Sequence, residues 1–550
     1  MTLPDSECTA SGLIRSKAAR DPERVFIVKG DARLSYGEAD RRSRKLARGL
    51  LASGVSKGTH VAILLPNGPD WVLAWLAAAR IGALVVPLNT FYQARELGFV
   101  LRHADVHTLL TAARFLNNDY LERLEKFAPE LAGHDRAPLH LRALPYLREV
   151  RVWESDGSER AWTSGGAAAL ESLADATPAV DEALLAEVER EVRPADPMVV
   201  IYSSGSTADP KGAIHTHGTV LRHAHNLNGF RDLIPEDRIY SPMPFFWVGG
   251  FCFTLVSAMH VGARLYCQDV FEPGKTLDLI ERERITMVAG WPHFGKAMAA
   301  HPSFASRDLS SIRTGNMYDL LPESARPKDP ELRANSLGMT ETCGPHTFER
   351  MEGDLPEKLR GSFGRSVPGV VHKVVDPETG RTLGPDEFGE ICARGYSVMQ
   401  GLYKVEREDA FDRDGYYHTG DAGSFDAEGH LFFKGRLGEM IKTGGANVAP
   451  RELELLIAAM PEVLSAHVVG VPHPERGENV AAAVVLRDGA ALDAATLHAR
   501  LKPELSAYKL PRHTFFVTAA EIPMTDSGKL DRRKLRDALA QRIAAGGVGL

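Results

Sequence analysis

The stretch YSSGSTADPKG, Tyr202–Gly212, follows the short apolar run MVVIY, Met198–Tyr202, and its reading sets the frame for the whole chain. Ser203, Ser204, Ser206 and Thr207 bring hydroxyl donors, Gly205 lets backbone amides approach a ligand, and Lys211 adds a positive charge. Such a set suits an anion with several oxygens. A polar surface loop uses the same residue types. Here, however, the loop leaves the carboxyl end of an apolar strand, where open α/β sheets hold their ligands. The lysine is framed as Pro210, Lys211, Gly212. A Walker A loop ends in Gly-Lys-Ser/Thr, so a kinase-like phosphate loop is disfavoured.

Around this loop the chain alternates helical and strand-like runs. YGEADRRSRKLARGLLASG reads as a helix ending in Gly54; HVAILLP, the stretch Trp71–Arg80 and ALVVPL follow. That order predicts α/β layers with parallel strands. The best membrane candidate, Trp71–Leu88, carries Arg80 and Gly82 in its middle and Pro87 near its end. It reads as a helix followed by a buried strand, with no transmembrane segment. Asp181–Arg193 is a charged amphipathic helix leading into MVVIY. From Gly361 to Phe433, short strands alternate with turn groups such as DPETG, RDGYY and DAEGH, which predicts an antiparallel, β-barrel-like part. After Arg436 the order helix, strand, AAAVVL, helix, TFFVT predicts a small α+β domain. The patch TSGGAAALESLADATPA reads as a surface excursion.

Composition narrows the function classes. A chain of 550 residues is longer than one core usually supports and predicts two to four domains. With 44% apolar and 25% charged residues, it is globular rather than disordered. The net charge of −7, without a long basic run, excludes nucleic acid as an expected partner. The five cysteines are scattered and form no C-x-x-C pair, so they read as buried thiols of a reducing compartment. MTLPDSECTA has no basic start followed by an apolar run, and the expected location is the cytoplasm.

YSSGSTADPKG resembles the phosphate-binding signature of the adenylate-forming superfamily, which includes acyl-CoA synthetases, luciferases and the adenylation domains of peptide synthetases. Further elements follow in that family's order. SLGMTETCG, Ser336–Gly344, is similar to its aromatic-Gly-x-Thr-Glu element. The resemblance implies Thr340 beside the α-phosphate, Glu341 as the ligand of Mg²⁺, and Leu337, Gly338 and Met339 along the nucleotide. YHTGD, Tyr417–Asp421, implies Asp421 on the ribose hydroxyls. FKGRLGEMIKTGGANVAPRELE, Phe433–Glu454, is similar to the hinge element, with Phe433 and Arg436 at the nucleotide and Gly438 at the hinge. PMTDSGKLDR, Pro523–Arg532, implies Lys529 as the catalytic lysine. With GEICARGYSVMQGLY and RIGALVVPLN, the resemblance spans most of residues 30 to 535. It implies an N-terminal ATP- and acyl-binding domain of layered α/β subdomains over 1–436, and a small mobile C-terminal domain over 437–550.

The implied chemistry explains the residue types. A carboxylic acid is already ionised at pH 7, so it needs no general base to attack the α-phosphorus of ATP. Charge repulsion is the obstacle. Mg²⁺ at Glu341, the donors of the opening loop and Lys529 offset that charge at the transition state, and one carboxylate suffices for a Mg²⁺ that arrives with phosphates and water. Acyl-adenylate and pyrophosphate result, after which the thiol of CoA attacks the adenylate. For this second step the resemblance places Lys442, Gly444 and Gly445 along the pantetheine tunnel.

Three departures from the family pattern stand out. Gly438 replaces the usual Asp or Lys of the hinge, Leu337 replaces the tyrosine that stacks on adenine, and TGNMYDLLP, Thr314–Pro322, replaces a Gly-Gly-Ala-Pro loop. Gly315, Asn316 and Met317 are then expected to line the adenine and acyl pockets. PMPFFWVGGF, Pro242–Phe251, is similar to the substrate-pocket element and brings Phe246, Trp247, Gly249 and Gly250, with Trp247 where many acyl-CoA synthetases carry histidine. It contains no aspartate to pair an α-ammonium group, so an uncharged hydrophobic acid is the expected substrate. An ATP- and CoA-dependent ligase is the first reading. A ligase that loads a carrier protein in trans is the second, since only 21 residues follow Lys529 and leave no fused carrier domain. A catalytically weakened nucleotide-binding relative is the third; Lys211, Glu341, Asp421, Arg436 and Lys529 argue against it. A homodimer is admitted as the assembly.

Overall fold

In the computed structural model, which describes residues 3–154, 156–203, 210–329, 332–333, 335–350, 353–437, 441–448, 450–524 and 530–546, the alternating runs become layered sheets. The chain forms two compact units. One comprises Met1–Thr90, Leu101–Tyr202 and Gly212–Gly435; the other comprises Phe91–Val100, Ser203–Lys211 and Arg436–Leu550.

The first long helix of the larger unit, Tyr36–Ala52, starts where the Ser35 side chain accepts a bond from the Glu38 amide. Its buried residues, among them Tyr36, Ala39, Ser43, Leu46, Ala47 and Leu50, recur at helical spacing and face the core. Helix Pro69–Arg80 is buried along nearly its whole length, Trp71, Trp75 and Arg80 included. Arg80 is tolerated there because its guanidinium donates to Ser43 Oγ at 3.0 Å and Glu189 Oε1 at 2.6 Å, and also meets Asp40. The adjoining strand Leu84–Pro87 lies inside an eight-stranded sheet, between Pro197–Ser203 and His60–Leu64. Both pairings are parallel, with Val199 and Val61 opposite Val85. Among the described residues no helix is long and apolar enough to cross a membrane.

A second, six-stranded sheet contains Val25–Lys29, Arg264–Cys267, Arg238–Tyr240, Met287–Val288 and Thr314–Gly315. The turn-rich stretch forms antiparallel sheets: Val370–Val375, Gly389–Gly395, Tyr417–Phe425 and Leu431–Arg436 in one, Leu337–Met339, Gly344–Phe348 and Arg365–Ser366 in the other. The patch read as a surface excursion is a correction. Ser164–Gly165 is an edge strand parallel to Glu149–Val152, and Ala167–Ala176 is a helix that buries Leu170 and Ala174. An alanine-rich run has high helix propensity, and two apolar residues four apart give it a face to bury.

In the smaller unit, strand Gly477–Leu486 alternates cleanly. Val480, Ala482 and Val484 pack into one core with Leu453, Ile457, Leu497 and Leu501, while Ala481, Ala483 and Val485 pack into another with Leu535 and Leu539. Strand Val463–His473 pairs antiparallel with it and His513–Phe516 parallel. Lys509, 2% exposed, lies between Glu96 at 2.8 Å and Glu452 at 3.0 Å. Burial opposes its charge, but the two carboxylates hold its pKa above that of an ordinary lysine.

Candidate functional site

The opening stretch sits at a strand exit. Met198–Tyr202 are buried within strand Pro197–Ser203, and Lys211 starts strand Lys211–Thr216. Tyr202, the last buried residue before the loop, is hydrogen-bonded through its hydroxyl to His103 Nδ1 at 2.7 Å. Ser204, Gly205, Ser206 and Thr207 lie outside the described residues.

Thr340 and Glu341 occupy a short 3₁₀ turn, Thr340–Thr342, between strands Leu337–Met339 and Gly344–Phe348. Glycine is required at 338 because a Cβ there would fall 2.6 Å from the carbonyl carbon of Gly344. Glu341 is 8% exposed. The turn is laced to the strand that leaves the phosphate loop. His215 Nε2 donates to the Thr340 carbonyl at 2.7 Å, and the Met399 amide donates to the Glu341 carbonyl at 2.7 Å. From the same run, the Gln400 amide donates to the Ile214 carbonyl at 2.8 Å and the Tyr403 amide to the Gly212 carbonyl at 2.8 Å. Burial lowers the pKa of His215 to about 4, so the ring is neutral at pH 7 and carries its proton on Nε2. Sequence reasoning missed His215. Its one signal was a histidine in a buried strand three residues after Gly212 of the loop.

Asp421, Phe433, Leu337, Gly315, Asn316 and Met317 lie in different parts of the larger unit. Asp421 is 3% exposed on strand Tyr417–Phe425, and its amide donates to Thr419 Oγ1, which in turn donates to the Ile391 carbonyl at 2.6 Å. Phe433 lies on the neighbouring strand, edge-on to Phe363 at 5.3 Å. Leu337 packs with Ile391 and Leu431 in a cluster that Phe433 adjoins, so its side chain is committed to the core. Gly315 ends strand Thr314–Gly315. Asn316 spans two strand ends, its amide donating to Val288 O at 3.2 Å and its Oδ1 accepting from the Gly290 amide at 2.9 Å. Met317 is a correction: it is fully buried among Ile280, Val288 and Met298 and packs as core rather than lining a pocket. Arg436 ends strand Leu431–Arg436, with its side chain outside the described residues, as are Gly438 and Lys529.

The element Pro242–Phe251 is clamped by Asn67, whose Nδ2 donates to Met243 O at 2.9 Å and whose Oδ1 accepts from the Phe245 amide at 2.8 Å. Phe245 turns into the core against Trp71. Phe246 is buried and edge-on to half-buried Trp247, which meets Trp291 at 5.8 Å. Gly249 and Gly250 lie in the short helix that follows Trp247. In the smaller unit, Gly444 and Gly445, at φ +57° and +82°, make the two-residue turn between strands Ile441–Thr443 and Ala446–Val448. That hairpin by itself calls for residues at positive φ. The exposed Lys442 sits two residues before the turn, its amide donating to Glu478 Oε2 at 2.8 Å.

Residues 14–403 match the family described as AMP-binding enzyme, and residues 452–529 match the AMP-binding enzyme C-terminal domain. YngI of Bacillus subtilis (strain 168), named as an acyl-CoA synthetase, is 32% identical over 96% of this chain and 96% of its own. The bovine mitochondrial medium-chain acyl-CoA ligase ACSF2 is 32% identical over 95% of this chain and 86% of its own. Among solved structures, the amide bond synthetase McbA from Marinactinospora thermotolerans shares the fold with a TM-score of 0.77 at 24% identity, covering 96% of this chain and 99% of that one.

Proposed function

The chain belongs to the AMP-binding enzyme family and is an AMP-forming acyl-CoA ligase, and from that premise we propose that it activates an uncharged, hydrophobic carboxylic acid, in the cytoplasm, at the Thr340–Glu341 turn. ATP and CoA are its substrates. The observation that carries the placement is the lacing of the turn to strand Lys211–Thr216 through His215 and the Met399–Tyr403 run. It gives the two elements that face an α-phosphate and its departing pyrophosphate a common, rigid base.

Glu341 fits a Mg²⁺ brought by the nucleotide. It offers a single, nearly buried carboxylate on the residue after Thr340, and the phosphates and water complete such an ion's shell. When bound, that ion would neutralise phosphate charge. Thr340 and the hydroxyl donors of Tyr202–Gly212 orient the α-phosphate and hold the leaving pyrophosphate, and Asp421 with Arg436 takes the ribose. Lys529, in the 437–550 domain, supplies positive charge at adenylation, and Lys442, Gly444 and Gly445 border the path of the CoA arm after that domain has turned about Gly438.

The acid is held against Phe246, Trp247, Gly249 and Gly250. Support comes from the Trp247–Trp291 pair and from the absence of any acidic residue in Pro242–Phe251. The bovine relative's medium-chain acids are the first to try. A panel of medium-chain, aryl, dicarboxylic and amino acids, followed by AMP and acyl-CoA formation, tests the reading. Medium-chain or aryl acids should exceed amino and dicarboxylic acids in kcat/KM by about a hundredfold or more, because an unpaired charge buried against tryptophan costs several kcal/mol. A preference for an amino acid would contradict it. AMP formed only when a carrier protein replaces CoA would contradict the acceptor.

A further inference from the structure

The four-stranded antiparallel sheet carries a group of side chains to which the proposed function assigns no role. Cys392, on strand Gly389–Gly395, pairs directly with His418, on strand Tyr417–Phe425. Glu390 stands two residues before Cys392 and therefore on the same face. His418 Nδ1 lies 2.8 Å from Glu390 Oε2 and 3.5 Å from Cys392 Sγ, and one donor atom from each residue falls within 4.8 Å of both others.

A thiol, an imidazole and a carboxylate converge here from two strands. Their chemistry is that of a zinc-type ligand set. With Zn–S near ~2.3 Å and Zn–N near ~2.0 Å, tetrahedral geometry separates sulfur from nitrogen by roughly 3.5 Å, which is the spacing this strand register sets. The surroundings follow the usual outer shell of such a site. Glu390 Oε1 is oriented by the Gly420 amide at 3.0 Å, and His418 Nε2 faces Asp412 Oδ2 at 3.6 Å, a carboxylate behind the imidazole. Two cations share the face: Lys373 sits opposite Cys392 but is held by Asp412 at 2.6 Å, and Arg394, two residues after Cys392, donates to the Asp414 carbonyl at 2.9 Å. The His418 side chain is 42% exposed, which leaves an entry path and room for water.

A second group, Asp426, Glu428 and His430, has a simpler account. Asp426 Oδ1 accepts the Glu428 and His430 amides at 2.9 and 2.8 Å, and Glu428 pairs with Lys358 at 2.8 Å, so the turn's own bonds gather those residues.

We propose that Glu390, Cys392 and His418 bind one thiophilic divalent cation of the zinc class, with water in the fourth position, as a clasp between the two strands. On binding, the Cys392 thiol proton leaves to solvent, the His418 ring proton moves from Nδ1 to Nε2, which faces Asp412, and the Glu390–His418 hydrogen bond gives way to two metal bonds. Cobalt(II) is the probe. The full, metal-stripped chain titrated with Co²⁺ should take up one equivalent with a sulfur-to-cobalt charge-transfer band, which one equivalent of Zn²⁺ then abolishes. Cys392→Ser should lose the band and Cys343→Ser should keep it. His418→Gln, at a partly exposed position that does not endanger folding, should bind Co²⁺ at least about tenfold more weakly. No band at one equivalent, or a band that survives in Cys392→Ser, overturns the proposal. Either result leaves the ligase reading untouched, because no turnover is measured.

Discussion

Lys529→Ala is expected to slow acyl-adenylate formation by about 10²–10³-fold, while thioester formation from supplied acyl-adenylate and CoA stays within about tenfold of the parent. The reasoning is electrostatic. An ionised acid approaches an anionic α-phosphate, so negative charge on the phosphoryl oxygens and on the departing pyrophosphate must be offset at that transition state. Once pyrophosphate has left, the thiol attacks an acyl carbon, and the leaving group is AMP. A lysine that serves only the first barrier is then dispensable for the second. Pyrophosphate exchange reads the first step, and single turnover of isolated acyl-adenylate reads the second. Equal losses in both would remove Lys529 from the adenylation step. Lys529→Arg keeps the charge and should recover part of the exchange rate.

Acid should unfold the larger unit early, between about pH 6 and pH 5. In six of its histidines, His215, His217, His223, His260, His346 and His372, burial depresses the pKa strongly. Burial lowers the pKa of His215, His217 and His372 to about 4 and that of His223 and His260 to about 3, and it also depresses that of His346. In the unfolded chain each titrates near ~6.5. Above that pH both states are neutral and the full stability is present. As pH falls below it, only the unfolded state gains protons, so stability is lost until the folded values near 4 are reached. Each histidine forfeits about 2 kcal/mol by pH 5. Six together rival the ~5–15 kcal/mol net stability of a typical domain. Thermal and urea midpoints measured from pH 8 to pH 5 should fall steeply below pH 6.5, and His260→Met should reduce the proton uptake on unfolding by about one. Midpoints that stay level down to pH 5 would contradict the burial of neutral imidazoles.

Much of the fold was legible locally. Apolar runs bounded by Gly and Pro marked the strands around Tyr202–Gly212, and Arg80 with Gly82 and Pro87 identified a buried helix and strand instead of a membrane span. Turn groups such as DPETG and DAEGH announced the antiparallel sheets. The illegible features depend on partners distant in sequence. Periodicity places His215 in a strand, but only the folded chain shows that it meets the Thr340 carbonyl, 125 residues away. The same holds for Arg80, whose charge is balanced by Asp40 and Glu189, and for Cys392 and His418, whose meeting is a matter of strand register. Met317 is expected, with Gly315 and Asn316, to line the adenine and acyl pockets in spite of the altered loop. Its long apolar side chain instead fills space between strands and helices, as methionine often does. The alanine-rich patch looked featureless because its signal is helix propensity with a narrow apolar face, and low complexity hides that signal.

The central claim is that the acid's carboxylate attacks the α-phosphorus and that the thiol of CoA then releases AMP. It is tested most directly by following the carboxylate oxygen. Turnover of a medium-chain acid labelled with ¹⁸O in both carboxyl positions, with ATP, Mg²⁺ and CoA, should leave one label in AMP, one in the acyl-CoA carbonyl, and none in pyrophosphate. Label recovered in inorganic phosphate beside ADP would place the attack at the γ-phosphorus and contradict the account.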